Sequence, residues 1–158
     1  RSTEDGAERG EFILNQPAYR DARILVGNRN FGCGSSREAA VFALDANDFR
    51  AVIAPSFGDI FHNNCFKNGV LPIHLDDETC AALRAQLHDN PGAEMIVDLG
   101  ARRVTAADGA THDFDVSDFR RRCLLEGLDD IGLTLEHEAA MGAFEAEYRR
   151  EMSWLYPD

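Results

Sequence analysis

Short apolar runs alternate with segments of helical periodicity in the first half of the chain. Residues 23–27 (RILVG), 51–54 (AVIA) and 70–75 each have the length and composition of a buried strand. Apolar residues recur at helical spacing after the first two runs, over residues 35–48 and 56–68. Because strands that alternate with helices usually pair in parallel, the pattern predicts an α/β fold whose mainly parallel sheet is flanked by helices.

The periodicity changes in the second half of the chain. A third helix is expected to begin after an acidic cap at Asp76 or Asp77 and to end before the sequence NPG at residues 90–92. Beyond it, apolar and polar residues alternate in three short segments: 94–99, 102–105 and 110–116. This alternation predicts an antiparallel addition to the parallel sheet.

The length of 158 residues predicts one domain with its own core. Residues 1–11 are polar and interrupted by glycine, so they are expected to form a flexible tail, and residues 12–158 are expected to form the single domain. Two helices are expected at its end. The first begins after a cap at Ser117 and stops at Gly127, and the second spans residues 136–154.

Acidic residues outnumber basic ones and lie mostly in the second half of the chain. The formal net charge is -12, from 28 acidic and 16 basic side chains, which argues against nucleic acid as a partner. Residues 1–75 carry 8 basic and 9 acidic side chains, whereas residues 76–158 carry 8 and 19. The arginines at 120–122 follow three aspartates and are expected to form a solvated face. A site for a small acid fits the nearly neutral first half, where excess negative charge does not repel it.

No signature of a membrane span or of a metal site is present in the sequence. The longest apolar run, residues 39–44, is far shorter than the roughly 20 residues that span a bilayer, and no secretory signal is found. The cysteines lack the spacing of zinc or iron-sulfur ligands; they are Cys33, Cys65, Cys80 and Cys123. We therefore expect no metal on this chain, no membrane contact and a reduced, cytoplasmic environment.

The loop between the first strand and the next helix, residues 27–38 (GNRNFGCGSSRE), contains the groups best suited to chemistry. Glycines such as Gly34 let backbone N–H groups approach an anion, and Arg37 can grip a carboxylate at two points. Ser35 and Ser36 add two hydroxyls, and the alkoxide of a hydroxyl at the helix start beside Arg37 would be stabilised, as a general base requires. The glycine spacing fits neither a dinucleotide fingerprint nor a phosphate-binding P-loop. We therefore predict a site for a small acid.

A structural interpretation of the same region stays open. Ser35 and Glu38 have the spacing of an N-terminal capping box, a role that is compatible with chemistry at Ser35. Cys33 is expected to be a small buried thiol rather than a nucleophile. His62 and His74 are expected to be packed or surface residues rather than ligands.

Three ordered motifs of the chain resemble one known family. NFGCGSSRE (residues 30–38), FRAVIAPSFGDIFHNNCFKNGVLPI (49–73) and GLDDIGLTLEHE (127–138) are similar to the small subunit of 3-isopropylmalate dehydratase, a relative of the swivelling domain of aconitase. The resemblance runs over residues 12–138. It implies a swivelling β/β/α domain and a hydro-lyase that converts 2-isopropylmalate to 3-isopropylmalate by dehydration and rehydration, in leucine biosynthesis.

The resemblance also implies residue roles and a partner. By motif match, Ser35 is the base that takes and returns a proton on a substrate carbon, while Ser36 and Arg37 hold a carboxylate of a small dicarboxylate. A separate large subunit that carries a [4Fe-4S] cluster completes the active site, in a heterodimer or a heterotetramer. This chain itself is expected to bind no cofactor.

Two departures from the family pattern bear on the substrate. Ala39 stands where the family has a histidine after GSSRE, and the family's opening D-T-D-x-I segment is expected to be absent before Arg1. Two alternatives therefore stay open. One is the small subunit of a sister hydro-lyase acting on homoaconitate, citramalate or a substituted maleate, and the other is a stand-alone dicarboxylate-binding module.

Overall fold

The centre of the fold is a parallel sheet of three short strands. The computed structural model describes residues 5–156, and the strands of this sheet are β1 (Ile24–Val26), β2 (Ala51–Ala54) and β3 (Leu71–His74). β2 lies in the middle, with Val52 paired to Leu25 on one side and to Pro72 on the other. The parallel sheet expected from the three apolar runs is therefore confirmed, although the first and third strands are slightly shorter than their runs.

Helices cover both faces of this sheet, because successive side chains of β2 point to opposite faces. The three helices are α1 (Ala39–Asp45), α2 (Asp59–Lys67) and α3 (Asp77–Asp89). On one face, Val52 is fully buried in a cluster with Phe61 of α2. On the other face, Ile53 is fully buried in a cluster with Leu83 of α3. Asp76 caps α3 by accepting the N–H of Thr79 at 2.8 Å, as the sequence indicates.

An antiparallel sheet packs against the second of these clusters. Its strands are β4 (Ile96–Asp98), β5 (Arg103–Thr105) and β6 (Thr111–Asp113), with β5 in the middle. Val104 of β5 is fully buried in the same cluster as Ile53. The turn between β5 and β6 contains Gly109, whose φ of 86° is a left-handed conformation that suits glycine. The antiparallel addition is thus confirmed.

Three helices follow the antiparallel sheet: α4 (Asp118–Glu126), α5 (Asp130–Leu135) and α6 (Glu138–Glu151). Ser117 caps α4 by accepting the N–H of Arg120 at 3.3 Å, and Gly127, with a φ of 66°, ends it. The helix expected over residues 136–154 is present as α6 but is shorter, because the backbone at Met152 leaves the helical conformation (φ -107°, ψ 39°) and a 3-10 helix, Ser153–Leu155, follows. A short helix that was not expected, α5, precedes α6 because the carboxylate of Asp129 accepts the N–H of Gly132 at 2.6 Å and starts a helix there.

Side-chain and backbone contacts join residues 8–9 to residues 15–20. A 3-10 helix, Ile13–Asn15, lies in this part of the chain. Arg20 forms an ion pair with Glu8 at 2.8 Å, and the side-chain amide of Asn15 donates to the carbonyl of Arg9 at 2.8 Å.

Residues 1–4 and 157–158 lie outside the described part of the chain. The flexible tail over residues 1–11 and the single domain over residues 12–158 therefore stay predictions. Within residues 5–156, no helix has the length and apolar character needed to cross a membrane.

Candidate functional site

The predicted site lies in the loop between β1 and α1, at the carboxyl end of the parallel sheet, the edge where open α/β sheets usually bind ligands. The loop starts at Gly27, a buried residue whose N–H donates to the carbonyl of Ile53 at 2.7 Å. The guanidinium of Arg84 on α3 donates to the carbonyl of Gly27 at 2.5 Å. The backbone N–H and C=O of Gly27 are thus both held, so the loop leaves the sheet in a fixed direction.

This loop is paired with the connection between β2 and α2. The N–H of Phe31 donates to the carbonyl of Ser56 at 2.9 Å, and the N–H of Gly58 donates to the carbonyl of Phe31 at 2.9 Å. The N–H of Asn30 donates to the hydroxyl of Ser56 at 2.8 Å. Because these backbone groups find partners within the two loops, the glycine-rich segment forms an ordered scaffold.

Close packing explains why glycine occupies two positions of this scaffold. Gly32 has a φ of 75°, and a Cβ built there would lie 2.2 Å from the ring of Phe61 on α2. A Cβ built on Gly58 would lie 2.8 Å from the Cα of Cys33. Side chains at either position would push the loop away from α2.

An exposed ion pair ties the outer side of the loop to α3. Nε of Arg29 donates to one carboxylate oxygen of Asp77 at 2.5 Å, and a second guanidinium nitrogen contacts the other oxygen. The hydrogen bond from Arg29 lowers the pKa of the Asp77 carboxyl. Two-point contact of this kind fixes orientation, although an ion pair in solvent contributes little free energy.

The capping box expected from Ser35 and Glu38 is wrong. α1 begins only at Ala39. The hydroxyl oxygen of Ser35 accepts the N–H of Arg37 at 3.1 Å, in a turn that precedes the helix. The carboxylate of Glu38 accepts a hydrogen bond from the amide of Asn68 at 2.8 Å. Both side chains have other partners, so they do not satisfy the first N–H groups of α1.

The predicted site residues lie together on one exposed turn. Gly34 is open, since a Cβ built there would meet nothing within 4 Å. Ser35 is half-buried, and Ser36 and Arg37 are exposed. No acidic side chain within residues 5–156 forms an ion pair with Arg37. The turn therefore presents a cation, two hydroxyls and an accessible backbone.

The turn lines neither of two grooves found on the described surface. One groove, of about 390 Å³, lies between α2, β3 and the start of α4. The other, of about 750 Å³, lies between α2, α4 and α5, and Glu38 is its nearest residue to the turn in sequence. Small-molecule sites are usually concave. The turn therefore offers one wall of a site and needs another surface to enclose a ligand.

The cysteines do not fit an iron-sulfur cluster, which requires several thiolates close together. Burial raises the pKa of the Cys65 thiol to about 12 and raises that of Cys80 as well. Among the described residues, no three His, Cys, Asp or Glu side chains come together as metal ligands. The expectation that Cys33 is buried is wrong, because the residue is exposed. Only its backbone packs closely, against Gly58.

One cluster of side chains was not predicted from the sequence. His62 on α2 and His74 at the end of β3 have ring centroids 5.2 Å apart. Arg120 lies near them, with its guanidinium 4.3 Å from the centroid of the Phe66 ring and donating to the side chain of Asn63 at 2.9 Å. The solvated face expected for the arginine run is therefore wrong for Arg120, which is half-buried. No sequence spacing links this arginine to the two histidines, because tertiary packing brings them together.

Three family models match successive parts of the chain. Residues 1–78 match the aconitase C-terminal domain, residues 81–118 match the model described as LeuD_N, and residues 130–158 match the C-terminal domain of the 3-isopropylmalate dehydratase small subunit. A curated protein from Marinobacter nauticus, named 3-isopropylmalate dehydratase small subunit, is 51% identical over 146 residues. The match covers 92% of this chain and 68% of that protein. This chain belongs to the 3-isopropylmalate dehydratase small-subunit family.

A solved structure supports the same family. The crystal structure of 3-isopropylmalate dehydratase (LeuD) from Methanocaldococcus jannaschii aligns with a TM-score of 0.60 at 25% identity, over 79% of this chain and 72% of that one. The family resemblance drawn from the three motifs is confirmed, and so is the α/β fold with a parallel sheet and an antiparallel addition. As a 3-isopropylmalate dehydratase small subunit, the chain is part of a hydro-lyase.

Proposed function

We propose that this small subunit acts with a separate large subunit to convert 2-isopropylmalate to 3-isopropylmalate, by dehydration and rehydration, in cytoplasmic leucine biosynthesis. The observation that carries the proposal is the exposed turn that contains Ser35, Ser36 and Arg37. It presents a proton acceptor and a receptor for a carboxylate, yet it lines neither of the two grooves described above. A site of this kind becomes enclosed when another protein surface closes over it.

The large subunit provides that surface, in a heterodimer or a heterotetramer. Residues 12–158 act as a swivelling domain that brings the turn to the partner. The [4Fe-4S] cluster that the family resemblance implies is assigned to the large subunit, since the cysteines of this chain do not fit it. The residues of this chain bind the substrate and transfer its proton.

Arg37 and its neighbours bind a carboxylate of the substrate. A guanidinium without an ion-pair partner can donate two parallel N–H bonds to a carboxylate, which fixes both its position and its plane. The hydroxyl of Ser36 is the next donor along the turn, and the open surface at Gly34 leaves room for the substrate to approach the backbone. The nearly neutral charge of residues 1–75 keeps electrostatic repulsion of a dianion small.

Ser35 transfers the proton. Its oxygen accepts the N–H of Arg37 at 3.1 Å, and this hydrogen bond favours the alkoxide over the neutral hydroxyl. In dehydration, the oxygen of Ser35 takes a proton from one substrate carbon while hydroxide leaves the neighbouring carbon, and the C–H electron pair becomes the second bond of the alkene. In rehydration, hydroxide adds to the first carbon and Ser35 returns the proton to the second. The hydroxyl has then changed carbons and no atoms are gained or lost.

The proposal is tested by reconstituting the chain with its large subunit and measuring turnover of several acids. We expect conversion of 2-isopropylmalate by the complex and by neither subunit alone. Because Ala39 replaces the family histidine, the panel includes homoaconitate, citramalate and a substituted maleate. Turnover of one of these acids and not of 2-isopropylmalate contradicts the substrate assignment. Tight dicarboxylate binding by this chain alone, with no turnover in the complex, contradicts the catalytic role.

A further inference from the structure

The 390 Å³ groove between α2, β3 and the start of α4 contains four side chains that can donate hydrogen bonds to an oxyanion. These are the imidazoles of His62 and His74, the guanidinium of Arg120 and the hydroxyl of Ser117. They come from three separate parts of the fold, and none belongs to the turn assigned to proton transfer. Donors that converge from several elements are suited to holding a small anion.

The two imidazoles lie side by side without hydrogen-bond partners in the described chain. Phe57 packs on both, with its ring centroid 5.7 Å from that of His62 and 4.9 Å from that of His74. His62 is half-buried, and partly buried polar groups usually have a partner. The ring nitrogens are therefore available to a ligand in the groove.

Arg120 is held in place without being neutralised. Its guanidinium packs on Phe66 at 4.3 Å and donates one hydrogen bond to Asn63 at 2.9 Å. No carboxylate within residues 5–156 forms an ion pair with it. A guanidinium has several N–H donors in a fixed plane, so those that do not bind Asn63 remain for an oxyanion.

The imidazole of His62 makes the charge of the groove depend on pH. Burial lowers the pKa of His62, and the positive charges of His74 and Arg120 lower it further, whereas Asp59 on α2 raises it. Asp115 also lines the groove. While the imidazole of His62 is neutral, the charges of Arg120 and Asp115 offset each other. When it is protonated, the groove gains a positive charge.

We propose that this groove binds a small oxyanion with two negative charges, and that binding strengthens as the pH falls and His62 takes up a proton. The ligand class includes phosphate-like and sulfate-like groups and small dicarboxylates. Phe57 separates the groove from the glycine-rich loop, since it packs on His74 and also on Phe31, with ring centroids 6.2 Å apart. The inference does not depend on the reaction proposed above.

The proposal is tested by titrating the full chain with sulfate and following the histidine ring signals by NMR. Sulfate is the probe because it keeps both negative charges across the pH range used. At about pH 6 we expect sulfate to shift the ring signals of His62 and His74 but not of His88 on α3. The dissociation constant should be several-fold higher at pH 8, where His62 is neutral because its pKa is lowered. Tighter binding of succinate than of sulfate supports a dicarboxylate ligand, and the reverse order supports a phosphate-like or sulfate-like one.

Substitutions test whether sulfate binds in this groove. His74→Gln and Arg120→Gln should each weaken sulfate binding at about pH 6 by about fivefold or more, whereas His88→Gln should leave it unchanged. His74 is exposed, so its substitution tests the groove even if Arg120→Gln affects folding. Absence of shifts at pH 6, equal affinity at both pH values, unchanged binding by His74→Gln, or shifts confined to the turn around Ser35 would each overturn the proposal.

Discussion

Gly32→Ala tests whether the glycine-rich loop is a rigid scaffold packed on α2. The substitution places a methyl group at a φ of 75°, 2.2 Å from the ring of Phe61, which is itself a core residue. A non-glycine residue in the left-handed region costs about 1–2 kcal/mol, and overpacking a core costs about 1–3 kcal/mol. We therefore expect the free energy of unfolding to fall by about 2–5 kcal/mol, a large part of the roughly 5–15 kcal/mol typical of a domain.

Two other glycines separate these contributions. Gly109 has a φ of 86° and nothing within 4 Å of a built Cβ, so Gly109→Ala should show only the backbone cost of about 1–2 kcal/mol. Gly34 has neither a left-handed φ nor a close neighbour. Gly34→Ala should therefore leave stability unchanged or raise it by about 0.4–1 kcal/mol, because alanine restricts the unfolded chain.

Urea unfolding of the three variants and the wild type measures these differences. The expected order of destabilisation is Gly32→Ala, then Gly109→Ala, then Gly34→Ala, with similar dependence of the unfolding free energy on urea. If Gly32→Ala costs no more than Gly109→Ala, the loop is free to move away from Phe61. That result would refute the claim of a rigid scaffold.

Three further predictions concern side chains of the loop and core. Arg37→Lys in the reconstituted enzyme should raise KM about tenfold with a smaller change in kcat, since an ammonium lacks the two-point grip; an unchanged KM argues against this role. Asp77→Asn should lower the urea midpoint at pH 7. Because Arg29 lowers the pKa of Asp77, that loss should shrink as the pH falls below about 4, and a constant difference contradicts it. At about pH 8, an aromatic disulfide reagent should modify the exposed Cys33 much faster than the buried Cys65, because burial raises the pKa of the Cys65 thiol to about 12. Equal rates would contradict the burial of Cys65.

The parallel sheet could be predicted because each of its strands is a short apolar run and the central strand is buried on both faces. Ala51–Ala54 is buried at every position, which produces a run that periodicity detects easily. The helix after the first strand could not be delimited in the same way. Hydrogen bonds of Ser35 and Glu38 to partners outside a capping box delay the start of α1 to Ala39. Whether these side chains cap a helix or bind elsewhere depends on tertiary contacts, including the hydrogen bond between Glu38 and Asn68.

The candidate turn could be found from the sequence because its residues are adjacent in the chain. Gly34, Ser35, Ser36 and Arg37 lie within one motif, and the structure adds their exposure and the scaffold that supports them. The groove around Arg120 could not be found, since packing between distant elements creates it.

The central claim is that Ser35 is the base of a site completed by the large subunit, and turnover by the reconstituted Ser35→Ala complex tests it most directly. We expect kcat to fall at least about 100-fold, the usual contribution of a positioned base, with the urea midpoint and the affinity for the large subunit unchanged. Ser153→Ala, at an exposed serine near the end of the chain, serves as the matched control and should retain full activity. A kcat for Ser35→Ala within a few-fold of the wild type would contradict the account.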